Sequence, residues 1–195
     1  MKGYIYISST GTDNIVGRFL NDPILGKLPT LGACMPNIRR IVFPGDRIFV
    51  VSGSVEEVPQ YIVGGFEVAE KIDALAAFDR FPDYRLRMDD AGNKVGNIIV
   101  TQDGKQHHLD NHDLRDGDKF KERIKNYLIG KKPLSIETPK EVDLSRQRTL
   151  GLLQDMFEKK GNRAIDVMGR WRKLDEDQID TVEAFLKKII SDARK

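Results

Sequence analysis

Three apolar, β-prone runs fall within the first 72 residues, and no regular alternation of strand and helix connects them. Residues 3–8 read Gly-Tyr-Ile-Tyr-Ile-Ser, rich in aromatic and β-branched side chains. Residues 47–52 carry Ile48-Phe49-Val50-Val51 after the turn signal Pro44-Gly45-Asp46. Residues 60–72 form a longer run whose Gly64-Gly65 pair marks a bulge, a bend or a close approach of backbone. Short helices are expected at 37–42, opened by Pro36, and at 73–81. Residues 97–101 read as a further short strand, followed by the Asp103-Gly104 turn. Phe120, Ile124, Tyr127 and Leu128 share one face of a helix beginning near Asp118. Such a mixture predicts an α+β unit over residues 1–130 with a mixed or mostly antiparallel, curved sheet.

Residues 131–143, with Pro133 and Pro139, read as a connector to a helical extension over 144–195. One helix is expected from about Ser145 to Lys160, capped by Gly161. A second starts at Asp175, where Gln178 completes a capping-box pattern. Its stripe of Ile179, Val182, Leu186, Ile189 and Ile190 must dock on the body or on a partner.

Composition removes several classes. The chain of 195 residues carries 32 Lys+Arg against 30 Asp+Glu and is 39% hydrophobic, which fits a folded domain and neither a disordered chain nor a membrane span. With no apolar run of transmembrane length and no long apolar stretch at the start, a cytoplasmic protein without a membrane partner is expected. Cys34 is the only cysteine, which excludes a disulfide framework and a multi-cysteine zinc site. Charge is uneven: residues 51–110 hold six basic and eleven acidic residues, residues 111–195 twenty and sixteen. A Walker loop, a Gly-x-Ser-x-Gly elbow, a His-Glu-x-x-His helix and a dinucleotide fingerprint are all missing.

Three constellations remain. All three histidines, His107, His108 and His112, lie within six residues. If extended, His108, Asp110 and His112 would share a strand face and could bind a divalent metal or act as acid, orienter or base. The competing expectation is a hydrogen-bonded loop with no metal, and no cofactor is expected. The run Cys34-Met35-Pro36-Asn37-Ile38-Arg39-Arg40 places two arginines at a short helix start, a setting that suits phosphate. Alternatively Cys34 and Ile38 are core and the arginines solvated; a nucleophilic Cys34 is the third option. Gly169-Arg170-Trp171-Arg172-Lys173 is either a stacking and phosphate patch or an anchor for the last helix.

The order of these features resembles PUA-like domains, the group that includes the EVE, YTH and ASCH domains. The resemblance rests on Tyr4-Ile5-Tyr6-Ile7-Ser8-Ser9, on Gly45-Asp46 leading into residues 47–52, and on the glycine-bearing run 61–68. Cys34-x-Pro36-x-Ile38-Arg39 with Ser52-Gly53-Ser54 is similar to the second nucleotide-modification-associated domain family. The likeness covers residues 3–72 well, 73–130 loosely, and does not reach 144–195. It implies a bent PUA-like sheet or pseudo-barrel that binds a nucleotide, nucleic acid or a modified base, within DNA modification or phage defence. It places Ser8, Ser9, Thr10, Asn14, Cys34, Ser52, Gly53 and Ser54 near the mouth of a pocket. The YTH-type tryptophan cage has no counterpart, because Trp171 lies outside the matched residues. Two other functions stay open: an enzyme acting on a nucleotide or glycosidic bond through the histidine run, and a subunit that pairs with a second copy or another protein through the C-terminal helices.

Overall fold

A computed structural model describes residues 1–8, 21–110 and 117–195. Its elements are, in order, β1 (Gly3–Ile7), β2 (Thr30–Leu31), α1 (Pro36–Ile41), β3 (Arg47–Val51), β4 (Ile62–Ile72), α2 (Ala74–Arg80), a 3-10 turn (Pro82–Tyr84), β5 (Arg87–Met88), β6 (Lys94–Val95), α3 (Gly117–Ile124), β7 (Tyr127–Ser135), α4 (Pro139–Met156), α5 (Ala164–Met168), β8 (Trp171–Leu174) and α6 (Glu176–Ala193). The chain forms two compact units. The first contains Met1–Leu20, Gly45–Glu67 and Lys132–Lys195; the second contains Asn21–Pro44 and Val68–Lys131.

The α+β expectation holds. Six strands form one mixed sheet in the order β2-β7-β4-β3-β1-β8, and β5 and β6 form a separate two-stranded ladder. The large sheet is open, with β2 and β8 at its edges, so the pseudo-barrel alternative is not realised. Residues 3–8, 47–52 and 60–72 do supply three adjacent strands of it. β1 and β3 run parallel, whereas β3 and β4 run antiparallel. Three further expectations need correction. Residues 131–143 are not a connector: they complete β7 and open α4. Pro139 starts the helix because Thr138 caps it, with Glu141 closing the box. Residues 97–101 form only isolated bridges, at Ile98 and Val100. The C-terminal region is not purely helical, since β8 pairs with β1.

In the first unit, α6 lies over the face of β1 that bears Gly3, where any Cβ would strike Ile179. The apolar stripe Ile179, Val182, Leu186 and Ile189 is fully buried, and the helix starts at the expected capping box of Asp175 and Gln178. Arg47 is ion-paired with Glu67 and with Glu183 of this helix, each at 2.9 Å. In the second unit, Ala74, Ala77, Ile98, Val100, Tyr127 and Ile129 form the core, with Phe78, Phe81, Phe120 and Ile124 packed on it.

Gly64 and Gly65 act as the sequence suggests. The β3–β4 register shifts between Val50 and Val51, and Phe49 lies opposite Gly65. A Cβ on Gly65 would press on the Phe49 ring and lie 2.5 Å from the Ile48 carbonyl oxygen. Backbone cannot yield there without loosening the central strands. Gly65→Ala is therefore expected to destabilise the protein by about 1–3 kcal/mol, read as a lower urea midpoint. An unchanged midpoint would show that β3 and β4 separate easily.

Candidate functional site

The first unit brings three strand termini to one end. β1 and β3 pair in parallel register from Gly3↔Arg47 to Ile7↔Val51, so both strands finish at the same level. Ser8 follows Ile7, and its N–H donates to the Val51 carbonyl at 2.9 Å. Ser52 follows Val51, with its N–H donating to the Tyr61 carbonyl at 2.8 Å. The Ser52 hydroxyl oxygen accepts from the Tyr61 N–H at 3.0 Å, which leaves its proton able to donate elsewhere. Gln60 Nε2 bonds to the Ser52 carbonyl at 2.9 Å and fixes the start of the following loop. Ser8 and Ser52 are almost fully buried, Gly53 is buried, and Ser54 is exposed. On the other side of β1 runs β8, antiparallel, with Tyr6 opposite Trp171. The Ile7 N–H donates to the Arg170 carbonyl at 3.0 Å, which sets Arg170 beside the carboxyl end of β1. Ligands of open sheets with parallel strands gather at such carboxyl ends, where the loops diverge.

Ser9, Thr10 and Asn14 lie outside the described residues. Cys34, Arg39 and Arg40 belong to the second unit. There Asp22 organises the turn that carries Cys34. Its Oδ1 accepts from the Gly32 N–H at 2.8 Å and from Asn97 Nδ2 at 2.8 Å. Its Oδ2 accepts from the Ala33 N–H at 2.9 Å and from the Cys34 N–H. Asn97 in turn accepts from the Tyr127 hydroxyl at 2.7 Å. Burial pushes the Asp22 carboxyl above the ordinary carboxylate range. The bonds from Gly32 and Cys34, the Arg39 charge and the Asn97 bond pull it back part of the way. Burial likewise raises the Tyr127 hydroxyl.

Arg39 has 0% exposure, against the expectation of a phosphate-facing pair. Its Nε donates to the Cys34 carbonyl at 2.7 Å, Nη2 to the Ala33 carbonyl at 3.4 Å, and Nη1 to the Asn126 carbonyl. A phosphate could reach this guanidinium only by displacing those bonds. Arg40 is exposed, and its carbonyl accepts from Lys71 Nζ at 3.0 Å. Cys34 is half-buried.

The histidine run does not extend. Residues 107–110 turn, with the Asp110 N–H donating to the His107 carbonyl at 2.9 Å, so no shared strand face forms. His107 and His108 stack with ring centroids 4.5 Å apart. Burial lowers the His107 pKa, as does the neighbouring His108, while Asp110 opposes them. The Leu109 N–H donates to His107 Nδ1 at 3.2 Å, which favours the neutral ring. Asp110 is buried and held by both guanidinium nitrogens of Arg123, at 2.6 and 2.9 Å, with Gln106 Nε2 at 2.8 Å. His112 lies outside the described residues. Among the described residues, no group of three or more His, Cys, Asp or Glu is placed to hold a metal ion. Nor is any helix among them long and apolar enough to cross a membrane.

Sequence reasoning missed Asp22, Asn97 and Arg123, because each acts on residues far away in sequence and none sits in a motif. It also missed that Arg170 stands at the end of β1, which depends on the antiparallel register of β8. No protein-family model and no curated protein matches the chain.

Proposed function

We propose that the protein is a binding module that holds a nucleotide, or a modified base carried in nucleic acid, at the carboxyl ends of β1 and β3. One observation carries this reading: the parallel pair terminates in register, so Ser8 and Ser52 end side by side, with Arg170 on the opposite flank of β1. The Ser52 hydroxyl accepts from the Tyr61 N–H and keeps its proton to donate to an acceptor on a base edge. An exposed arginine beside the end of β1 suits a phosphate, which it can engage with two parallel bonds. The histidine segment has no part in this reading, since Arg123 occupies the carboxylate that would orient an imidazole.

Trp171 is the only tryptophan and is 40% exposed one residue from Arg170, so its fluorescence reports on this end of the sheet. Titration with the common nucleoside monophosphates and their base-methylated forms should give saturable quenching. Arg170→Ala should weaken the tightest of these about tenfold, the cost of one lost charged hydrogen bond. Absence of quenching by any nucleotide at millimolar concentration would end the proposal.

A further inference from the structure

The base site is not the only place where charge and aromatic surface meet. Residues 158–173 hold six basic and two acidic residues, an excess of four positive charges in a chain whose whole excess is two. Lys159, Lys160, Arg163, Arg170, Arg172 and Lys173 are all exposed. Among the described residues, Lys159, Lys160, Arg170 and Lys173 make no ion pair; Arg163 pairs with Asp166 at 2.9 Å. The two ends of the segment are drawn together in space. The Arg172 guanidinium lies over the Phe157 ring, 5.2 Å from its centroid, while Arg172 Nε donates to the Met168 carbonyl at 3.1 Å. Arg172 thus fixes the shape of the segment and leaves the other cations outward.

Within it stands Trp171, on the outermost strand of the sheet. Its indole packs against the Tyr4 ring at 6.3 Å and 46°, yet 40% of the residue stays exposed. The anchoring alternative therefore accounts for only part of this side chain. A half-open indole that shares its face of β8 with the unpaired Lys173, in a segment rich in exposed cations, fits a polyanion that can stack, because flat bases add to an aromatic face what phosphates add to lysines. Stacking of this kind needs unpaired bases. Reading a duplex groove would need a long helix or a β-ribbon, and α5 has only five residues. A bilayer surface would need several projecting apolar side chains; here only Ile165 and Trp171 are large and exposed.

We infer that residues 158–173 form a track for single-stranded nucleic acid, with Trp171 stacking a base and Lys159, Lys160 and Lys173 contacting phosphates. This inference rests on the base-site reading and names its substrate: a base presented within a single strand, which the track holds beside the ends of β1 and β3.

The test uses the whole chain and fluorescence anisotropy with a labelled oligothymidine of roughly 12 nucleotides, within the span such surfaces cover. Binding should weaken with salt, and the triple variant Lys159→Ala, Lys160→Ala, Lys173→Ala should flatten the log–log slope by about 2. Trp171→Ala should weaken binding about tenfold or more, and Trp171→Phe should restore most of the loss. Calorimetric titration with mononucleotides should be the same for the triple variant as for the parent chain. Tight mononucleotide binding without oligonucleotide binding would overturn the track and leave the base site standing. Oligonucleotide binding that depends on Trp171 and the lysines, with no mononucleotide bound, would support the track and overturn the base site. Equal affinity for a duplex of the same length, or displacement of the oligonucleotide by phosphatidylserine vesicles, would overturn the inference.

Discussion

Asp22→Asn is expected to lower the stability of the protein by about 3–5 kcal/mol, among the larger effects a single polar substitution can have. Four N–H donors converge on the two carboxylate oxygens, two on each. An amide offers one oxygen and one NH2 group. Whichever way it turns, its NH2 faces two N–H donors, and those donors lose their acceptor inside the protein. The substitution also removes the negative charge that faces buried Arg39. Chemical denaturation followed by circular dichroism measures the effect. A midpoint within error of the parent chain would mean that the 32–34 turn is held by something other than Asp22.

The second large effect is expected at Arg123. Its guanidinium and the Asp110 carboxylate are both buried, with side chains 7% and 6% exposed. Arg123→Met leaves the carboxylate buried without its guanidinium counter-charge, at an expected cost of about 3–5 kcal/mol. Replacing both partners, Asp110→Leu with Arg123→Met, should recover much of that loss, because an apolar pair of similar volume carries no desolvation penalty. Nucleotide binding by the refolded double variant should match that of the parent chain. A selective loss of catalysis or binding in the double variant, with stability restored, would return Asp110 to a functional role.

Much of the architecture was legible because it depends on local signals. Alternating and continuous apolar runs marked β1, β3 and β4 to within two residues. Asp175 and Gln178 fixed the start of α6, since a cap is decided by residues three apart. Strand direction was not legible, because parallel and antiparallel strands share the same period of two. β8 escaped because Trp171, Arg172 and Lys173 are exposed and carry no apolar alternation; only their pairing with β1 makes them a strand. Pro139 looked like a linker residue until Thr138 supplied its cap. Among the candidate site residues, Ser8 and Ser52 were recognisable as strand-end residues, but their adjacency depends on the β1–β3 register. Arg39 was visible as a cation and misjudged as a surface one: its acceptors are backbone carbonyls, which leave no mark on a sequence.

The pairing of β1 with β8 has a consequence for synthesis. Gly3 faces Leu174, so β1 is flanked by a strand that is synthesised long after it. On the ribosome, β1 can find β3 early, as soon as residue 51 has emerged. Its other flank then stays an open edge until Trp171–Leu174 is translated, and open edges recruit stray strands. A nascent chain of this kind needs protection in proportion to the time it spends unfinished. Slowed translation upstream of Trp171, or a stop codon placed there, should therefore favour aggregation even though every residue of β1, β3 and β4 is already in place.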